Sequence, residues 1–334
     1  MMPMKTNLKF IKSLLFLITI FVASVSCAQE RPITHDPVVA KQGDTYYLFC
    51  TGPGITSFTS KDLKIWKQAP PVFAEQPKWA KEVAPGFNGH IWAPDITLHN
   101  GTYYVYYSVS AFGKNTSAIG LVTNKTLNPE DENYKWEDLG IVIQSVPNRD
   151  LWNAIDPNLI FDENGTPWLA FGSFWSGLKM VKMDANLRSV AKPEQWHTIA
   201  RRDRDNNLGD EDAGNAALEG PFIFKKGAYY YQFLSWDYCC RGEKSTYKLM
   251  VGRSKSVTGP YVDKDGIELN KGGGSVVIEG NKNWYGVGHN SVFTFDGQDY
   301  TFMHGYDASD NGKPKLIVKE VTWIDGWPTV TPMD

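Results

Sequence analysis

Cysteine is scarce in this chain of 334 residues, and there is no excess of basic residues. It has four cysteines, and 34 Lys+Arg against 37 Asp+Glu give a formal net charge of −3. Without a basic domain or stripe, the chain does not belong to the class that binds nucleic acid by electrostatic attraction. No C-x-x-C or H-E-x-x-H spacing occurs, so no zinc site is indicated. Helical periodicity is also weak, which leaves β-strands as the main expected element.

One long uncharged run lies at the N-terminus. Lys5, Lys9 and Lys12 precede a mostly apolar stretch over residues 13–26. This stretch is shorter than the roughly 20 residues of a membrane-spanning helix and suits a secretory signal. A buried core helix is the alternative, but no helix cap precedes the run. We therefore predict a signal peptide of secretory or lipoprotein type over residues 1–28.

The residues around Cys27 leave two forms of the exported protein open. Cleavage at the small-residue site Ser26-Cys27-Ala28 would release a soluble periplasmic or secreted protein. Alternatively, Cys27 would carry a lipid that anchors the chain to a bacterial membrane. Ser24 stands where a lipobox has leucine, which favours soluble export.

Three cysteines remain beyond Cys27. An odd count in an exported chain argues against a scaffold held by disulfides. For the adjacent pair Cys239 and Cys240, we expect two buried thiols in preference to a vicinal disulfide.

A glycine-led turn followed by an aromatic strand occurs five times. These runs are rich in β-branched and aromatic residues, as strands entered through hairpin turns are. They cover residues 43–49, 101–107, 165–171, 227–233 and 297–303. A period of about 60 residues with about four strands per unit predicts an all-β chain forming one five-bladed β-propeller. We place this domain at residues 31–334; a two-sheet sandwich with chance repeats is the alternative.

A polar residue stands shortly before each of the five glycines. These residues are Asp36, Asp95, Asp156, Glu219 and His289. A short apolar run follows each of them and is expected to form the innermost strand of its blade. Because rotation about the propeller axis relates successive blades, we predict that all five converge on one mouth of the central channel. Turn chemistry alone is the alternative.

Carboxylates that share one pocket repel each other, so at least one should be protonated near neutral pH. A pair with separated pKa values is what general acid–base hydrolysis requires.

The sequence around these polar residues resembles glycoside hydrolase family 43. The similar elements are His35-Asp36-Pro37, Trp92-Ala93-Pro94-Asp95, Ile155-Asp156-Pro157-Asn158, Leu218-Glu219-Gly220-Pro221 and Gly288-His289. Residues 112–120, 235–242 and 245–248 resemble more narrowly its endo-α-1,5-arabinanases. The resemblance implies inverting hydrolysis of internal α-1,5-L-arabinofuranosidic bonds of arabinan. Asp36 matches the general base, Glu219 the general acid, and Asp156 the carboxylate that raises the acid's pKa.

An inverting pair should stand roughly 6.5–9.5 Å apart to admit a water molecule, and we expect this separation for Asp36 and Glu219. Gly113, Asn153, Ile155 and Ser173 match positions that line the family's substrate groove. The expected substrate-binding set adds Asp36, Asp156 and four aromatic residues in or beside the matched motifs, Trp92, Phe112, Phe174 and Trp175. Trp92 and Phe112 are the expected platforms for the C–H faces of sugar rings.

His289 matches a channel histidine that borders a metal ion, usually calcium. Calcium prefers oxygen ligands, so a histidine that only forms hydrogen bonds in the channel is the alternative. The resemblance implies no organic cofactor. We expect a monomer that binds arabinan or arabino-oligosaccharides and no nucleic acid. Two other functions stay open: an exo-acting arabinofuranosidase or β-xylosidase of the same family, and a non-catalytic carbohydrate-binding propeller.

Overall fold

The computed structural model describes Met1 and residues 31–333. The chain divides into two units, Met1–Glu30 and Arg31–Asp334. Apart from Met1, the predicted signal peptide lies outside the described residues. Among the described residues, no helix has the length and hydropathy of a membrane span.

Residues 31–333 form five antiparallel sheets, each built mainly from strands that follow one another in the chain. The first sheet contains β1 Val38–Gln42, β2 Thr45–Cys50, β4 Thr56–Ser60 and β5 Lys67–Ala69. The second contains β3 Gly52–Pro53, β6 His90–His99, β7 Thr102–Val109, β8 Ser117–Asn124 and β9 Glu137–Ser145. The third contains β10 Asn158–Phe161, β11 Pro167–Phe171, β12 Leu178–Lys182 and β13 Trp196–Ala200.

The fourth sheet contains β14 Leu218–Lys226, β15 Tyr229–Trp236, β16 Lys248–Ser254 and β17 Ser275–Glu279. The fifth contains β18 Trp284–Phe295, β19 Gln298–Asp307, β20 Lys313–Ile324 and β21 Trp327–Thr329. The helices of this unit are short: α1 Ala80–Val83 and the 3-10 helices Gly242–Lys244, Leu269–Lys271 and Ala308–Asp310.

The first strands of the five sheets surround a common axis. Each of β1, β6, β10, β14 and β18 contacts the first strand of the next sheet, and β18 contacts β1. The sheets are therefore the blades of a closed five-bladed β-propeller, as the repeats predict. The five aromatic runs become the second strands β2, β7, β11, β15 and β19.

Five hydrophobic clusters hold neighbouring blades together, one at each interface. Strand β7 shows why the runs are so rich in aromatics. Tyr107 packs into the cluster against the first blade, and Tyr106 packs into the cluster against the third. Successive strand residues point to opposite faces, so a strand buried on both faces needs apolar residues at consecutive positions.

The N-terminal residues of this unit close the ring. Ile33 forms a β-bridge with Lys315 in the fifth blade. The Thr34 amide donates to Pro314 O at 3.3 Å, and the Leu316 amide donates to Pro32 O at 3.0 Å. Asp36 follows this pairing within two residues.

Candidate active site

A left-handed residue stands just before the first strand in two blades, and at a register shift within the first strand in the other three. These residues are Asp36 (φ 54°), Ala93 (φ 40°), Asp156 (φ 59°), Gly220 (φ 61°) and His289 (φ 46°). Proline follows the first four, and it disfavours right-handed helical conformation in the residue before it. These five positions are the ones that the propeller's rotation makes equivalent.

The predicted convergence of five polar residues is therefore wrong for Asp95. It lies two positions beyond the equivalent Ala93, and its carboxylate accepts from Asn158 Nδ2 at 3.1 Å and from the Leu159 amide at 2.8 Å. Asp95 lines a separate cavity beside Phe222. Counting back from turn glycines misplaced it because the strands differ in length.

Glu219 also stands one residue before the equivalent position, which is Gly220. A Cβ atom at Gly220 would lie 3.1 Å from the His289 ring, a tight contact that, together with the positive φ of 61°, favours glycine there. The Glu219 side chain nevertheless reaches the same cleft.

That cleft has a volume of about 450 Å³ and lies at the end of the axis where these left-handed residues are found. Apart from Asp95, every site residue predicted from the sequence lines it: Asp36, Trp92, Phe112, Gly113, Asn153, Ile155, Asp156, Ser173, Phe174, Trp175, Glu219 and His289. They come from loops and strand ends of all five blades.

The Asp36 carboxylate is surrounded by hydrogen-bond donors and imidazole rings. Oδ1 lies 3.0 Å from His289 Nδ1, 3.7 Å from His304 Nδ1 and 3.9 Å from His35 Nδ1. The Thr51 hydroxyl donates to Oδ2 and itself accepts from the Ala93 amide at 2.8 Å. Because an ionised carboxylate can only accept hydrogen bonds, the Thr51 proton points at Asp36.

The imidazole rings keep Asp36 ionised. Burial favours its neutral form, but the charge and hydrogen bond of His289 hold the pKa of Asp36 well below its usual value. Burial likewise disfavours a charged His289, but the carboxylates of Asp36 and Asp156 raise the pKa of His289 to about 9. The pair is therefore carboxylate and imidazolium at neutral pH.

Glu219 has a different environment, made of hydroxyl groups. Its Oε2 accepts from Ser173 Oγ at 2.7 Å, and its Oε1 accepts from the Tyr247 hydroxyl at 2.8 Å. Burial raises the pKa of Glu219 above its usual value, and the two hydroxyl donors only partly oppose this. Hydroxyls both donate and accept, so they can serve a protonated Glu219 as well.

Asp156 is the third carboxylate of the cleft, and it is buried. Its Oδ2 accepts from the Gly220 amide at 3.2 Å, and its own amide donates to Ser108 Oγ at 3.0 Å. Burial, together with the charges of Glu219 and Asp36, raises the pKa of Asp156 well above its usual value. The cleft thus combines one carboxylate held ionised with two that favour protons, an arrangement suited to general acid–base chemistry.

The predicted aromatic platforms differ in how much ring they present. Phe112 is 78% exposed, and Trp92 is partly exposed at the cleft wall. Trp175 is only 2% exposed, and its Nε1 donates to Asp210 O at 2.8 Å, so it supports the wall by packing.

The sequence interpretation gave no role to several residues that complete the cleft. Tyr247 and Thr51 bind the two carboxylates, and His35 and His304 flank Asp36. Tyr247 lies within a motif that carries the family resemblance, which is the signal that could have found it. No local pattern marks Thr51 or His304: Thr51 reaches Asp36 through the pairing of β1 with β2, and His304 reaches it from the fifth blade.

The adjacent cysteines form a disulfide, so the expectation of two buried thiols is wrong. Cys239 is bonded to Cys240, and both line the cleft. Cys240 is exposed and Cys239 is partly exposed, whereas Cys50 is a buried free cysteine. Two thiols open to an oxidising compartment are not protected from forming this bond.

The calcium ion predicted near His289 stays a prediction. The ring Nδ1 of His289 already lies 3.0 Å from the Asp36 carboxylate. Among the described residues, His35, Asp36 and His304 form the cluster that could hold a metal, and His289 is not in it. Two imidazoles and one carboxylate do not fit calcium, which prefers oxygen ligands. These contacts favour the alternative of a histidine that acts through its charge and hydrogen bond.

Comparison with known proteins adds independent evidence. The family model for glycosyl hydrolases family 43 matches residues 30–328. The extracellular exo-α-(1→5)-L-arabinofuranosidase ArbA of Cellvibrio japonicus is 54% identical over 94% of this chain and 90% of its own. The extracellular endo-α-(1→5)-L-arabinanase 1 of Bacillus subtilis is 42% identical over 90% of this chain and 88% of its own.

Among solved structures, the Cellvibrio cellulosa α-L-arabinanase complexed with arabinohexaose superposes with a TM-score of 0.89. It is 55% identical and covers 90% of this chain and 96% of its own. The propeller, the cleft carboxylates and these similarities agree, and the chain belongs to glycosyl hydrolases family 43.

Proposed function

We propose that this enzyme hydrolyses α-1,5-L-arabinofuranosidic bonds of arabinan with inversion. The observation that carries the proposal is the opposite protonation preference of Asp36 and Glu219 within one cleft. The names of the similar proteins supply the substrate, since they act on α-1,5-linked arabinose and one is complexed with arabinohexaose. The exposed ring of Phe112 offers a face for a sugar.

In this mechanism, Glu219 carries a proton and gives it to the leaving glycosidic oxygen. Asp36, held ionised, accepts a proton from the water that attacks the anomeric carbon from the opposite side. Asp156, when it is ionised, raises the pKa of Glu219, and it orients Glu219 through the Gly220 amide next to it. In each turnover Asp36 gains one proton and Glu219 loses one. Proton exchange with solvent then restores the starting state of both groups. This mechanism requires the carboxylates of Asp36 and Glu219 to lie roughly 6.5–9.5 Å apart, and we expect that separation.

The mode of attack has two candidates. The motifs resemble endo-arabinanases and predict internal cleavage. The relative named as an exo-enzyme, however, is 54% identical, against 42% for the one named as an endo-enzyme. We therefore propose release of a short product from the chain end as the mode to test first. The β-xylosidase alternative has no support from these names, and a purely binding propeller would not need the three carboxylates.

Early product analysis on linear α-1,5-arabinan tests both levels of the proposal. A single short oligosaccharide or arabinose from the first samples is expected for attack at a chain end. A ladder of mixed arabino-oligosaccharides would instead establish internal cleavage. No product from arabinan would overturn the proposed substrate, and xylan and aryl glycosides would then separate a xylosidase from a binding protein.

Both curated relatives are named extracellular, which supports export of this enzyme. The lipid anchor at Cys27 and the monomeric state stay predictions.

A further inference from the structure

The disulfide between Cys239 and Cys240 joins neighbouring residues. A disulfide stabilises a fold chiefly by closing a long loop of the unfolded chain, and the gain grows with loop length. A bond between adjacent residues encloses no intervening residue, so this contribution is absent. Its effect must therefore be local, on the segment between β15 and β16.

This segment forms part of the cleft wall. Tyr238, Cys239, Cys240 and Arg241 all line the cleft. The Arg241 guanidinium lies 3.9 Å from the centre of the Tyr238 ring, and that ring is 6.0 Å from Phe174. The sulfur pair thus continues an aromatic wall with a polarisable apolar surface, the kind that packs against C–H groups.

Hydrogen bonds tie the same segment to Asp36. The Cys240 amide donates to the Tyr306 hydroxyl at 2.6 Å, and His304 Nε2 lies 3.3 Å from that oxygen. His304 Nδ1 accepts from the Asp36 amide at 3.2 Å, so its proton is on Nε2 and points at Tyr306. The backbone at Cys240 is therefore connected to the backbone of Asp36 through two buried side chains.

The other end of the segment leads to Glu219. The Thr246 amide donates to Tyr238 O at 2.9 Å, and the next residue, Tyr247, donates its hydroxyl to Glu219. The disulfide therefore lies in a loop that contacts the surroundings of both Asp36 and Glu219.

We propose that the Cys239–Cys240 disulfide is a substrate-contacting element of the cleft that sets affinity for longer arabinan chains, and that reducing it weakens substrate binding. This inference rests on the proposed arabinan hydrolysis. The bonded sulfurs pack against the C–H face of a sugar ring beside Tyr238. With the bond broken, the two thiols rotate independently and the loop loses the shape that Tyr306 holds.

The reductant for this test is tris(2-carboxyethyl)phosphine. The phosphine and one water molecule react with the disulfide to give the phosphine oxide and two thiols. The sulfurs are reduced and the phosphorus is oxidised by two electrons. Cys50 is already a free thiol and is not changed by this reagent.

The test compares oxidised and reduced wild-type enzyme with the double variant Cys239→Ser/Cys240→Ser, with arabinohexaose as substrate. We expect KM to rise about tenfold on reduction and in the double variant, the effect of one lost apolar contact in a pocket. We expect kcat to change less than about threefold and Tm to fall by less than about 3 °C, since no long loop is opened. The double variant should not respond to the phosphine, and reoxidation should restore the KM of the wild type.

Mass spectrometry confirms reduction in each sample before kinetics. An unchanged KM in fully reduced wild type would overturn the inference while leaving the hydrolysis intact. A large fall in Tm with loss of kcat would overturn it too, because the bond would then serve folding. If the oxidised enzyme does not cleave arabinohexaose or arabinan at all, the proposed function itself fails, and this inference fails with it.

Discussion

The two sides of the cleft treat their carboxylates in opposite ways. On one side, three imidazoles stand within 4 Å of Asp36 Oδ1, and a threonine proton points at Oδ2. On the other, Glu219 accepts hydrogen bonds from the hydroxyl groups of Ser173 and Tyr247. Both carboxylates are partly buried, so burial alone cannot separate them. The charged imidazole of His289 contacts the carboxylate of Asp36, and this contact keeps Asp36, and not Glu219, ionised.

We therefore expect the charge of His289 to control the pKa of Asp36, and the hydroxyl hydrogen bonds to adjust the pKa of Glu219 by a smaller amount. A charged partner shifts the pKa of a buried carboxylate by several units, whereas a neutral hydroxyl shifts that pKa by much less. Three substitutions test this expectation.

Glu219→Gln removes the proton that the proposed acid donates while keeping shape and hydrogen bonds. We expect kcat on arabinan to fall about 100- to 10,000-fold, the usual contribution of general acid catalysis. Arabinohexaose affinity, measured by calorimetry, should stay within about threefold. Asp95→Asn is the matched control, because Asp95 is a buried carboxylate outside the cleft whose loss should spare kcat. Turnover within tenfold of wild type in Glu219→Gln would contradict the assigned acid.

His289→Gln removes the charge next to Asp36 and should shift the whole pH profile of kcat/KM to higher pH. The acid limb reports protonation of Asp36, whose pKa rises when the imidazolium is lost. We expect that limb to move up by about 1–3 pH units. The alkaline limb moves the same way, because the same charge lowers the pKa of Glu219. His197→Gln, on the exposed edge of the third blade, should leave both limbs in place; an unmoved acid limb in His289→Gln would remove the basis of the comparison.

Tyr247→Phe should give the smallest change, on the other side of the cleft. Loss of its donated hydrogen bond raises the pKa of Glu219, so the alkaline limb moves to higher pH. One hydrogen bond corresponds to about 0.5–1 pH unit. Tyr106→Phe loses a comparable buried hydrogen bond, to Leu187 O at 2.6 Å, far from Glu219, and serves as the control. A shift as large as that of His289→Gln would show that hydroxyls and charges do not differ here as proposed.

The blades themselves could be predicted from the sequence. Strand β7 is typical: its run of tyrosines and valines needs burial on both faces, and only a stack of sheets offers that. Asp36, Asp156 and His289 were also placed correctly, because each occupies the equivalent left-handed position of its own blade. Rotation about one axis converts such a repeat in sequence into a cluster in space.

What the sequence could not supply are contacts that depend on how blades meet. Asp95 does not reach the cleft, because it lies two residues beyond the equivalent position and its side chain enters the separate cavity beside Asn158. The bond between Cys239 and Cys240 depends on local exposure, which composition does not report. The contact of the Tyr247 hydroxyl with Glu219 could not be predicted, because it depends on how β16, which follows Tyr247, pairs with its neighbours.

The β-bridge between Ile33 and Lys315 closes the ring, and this closure determines when activity can appear during folding. Asp36 lies three residues after Ile33, and its imidazole partners His289 and His304 belong to the last blade. An intermediate with four blades assembled and the ends of the ring apart would have the proposed acid, Glu219, in place but would lack the imidazole partners of the proposed base, Asp36. Assembly of the propeller and the onset of catalysis would then coincide, and recovery of activity during refolding would report the closing of the ring.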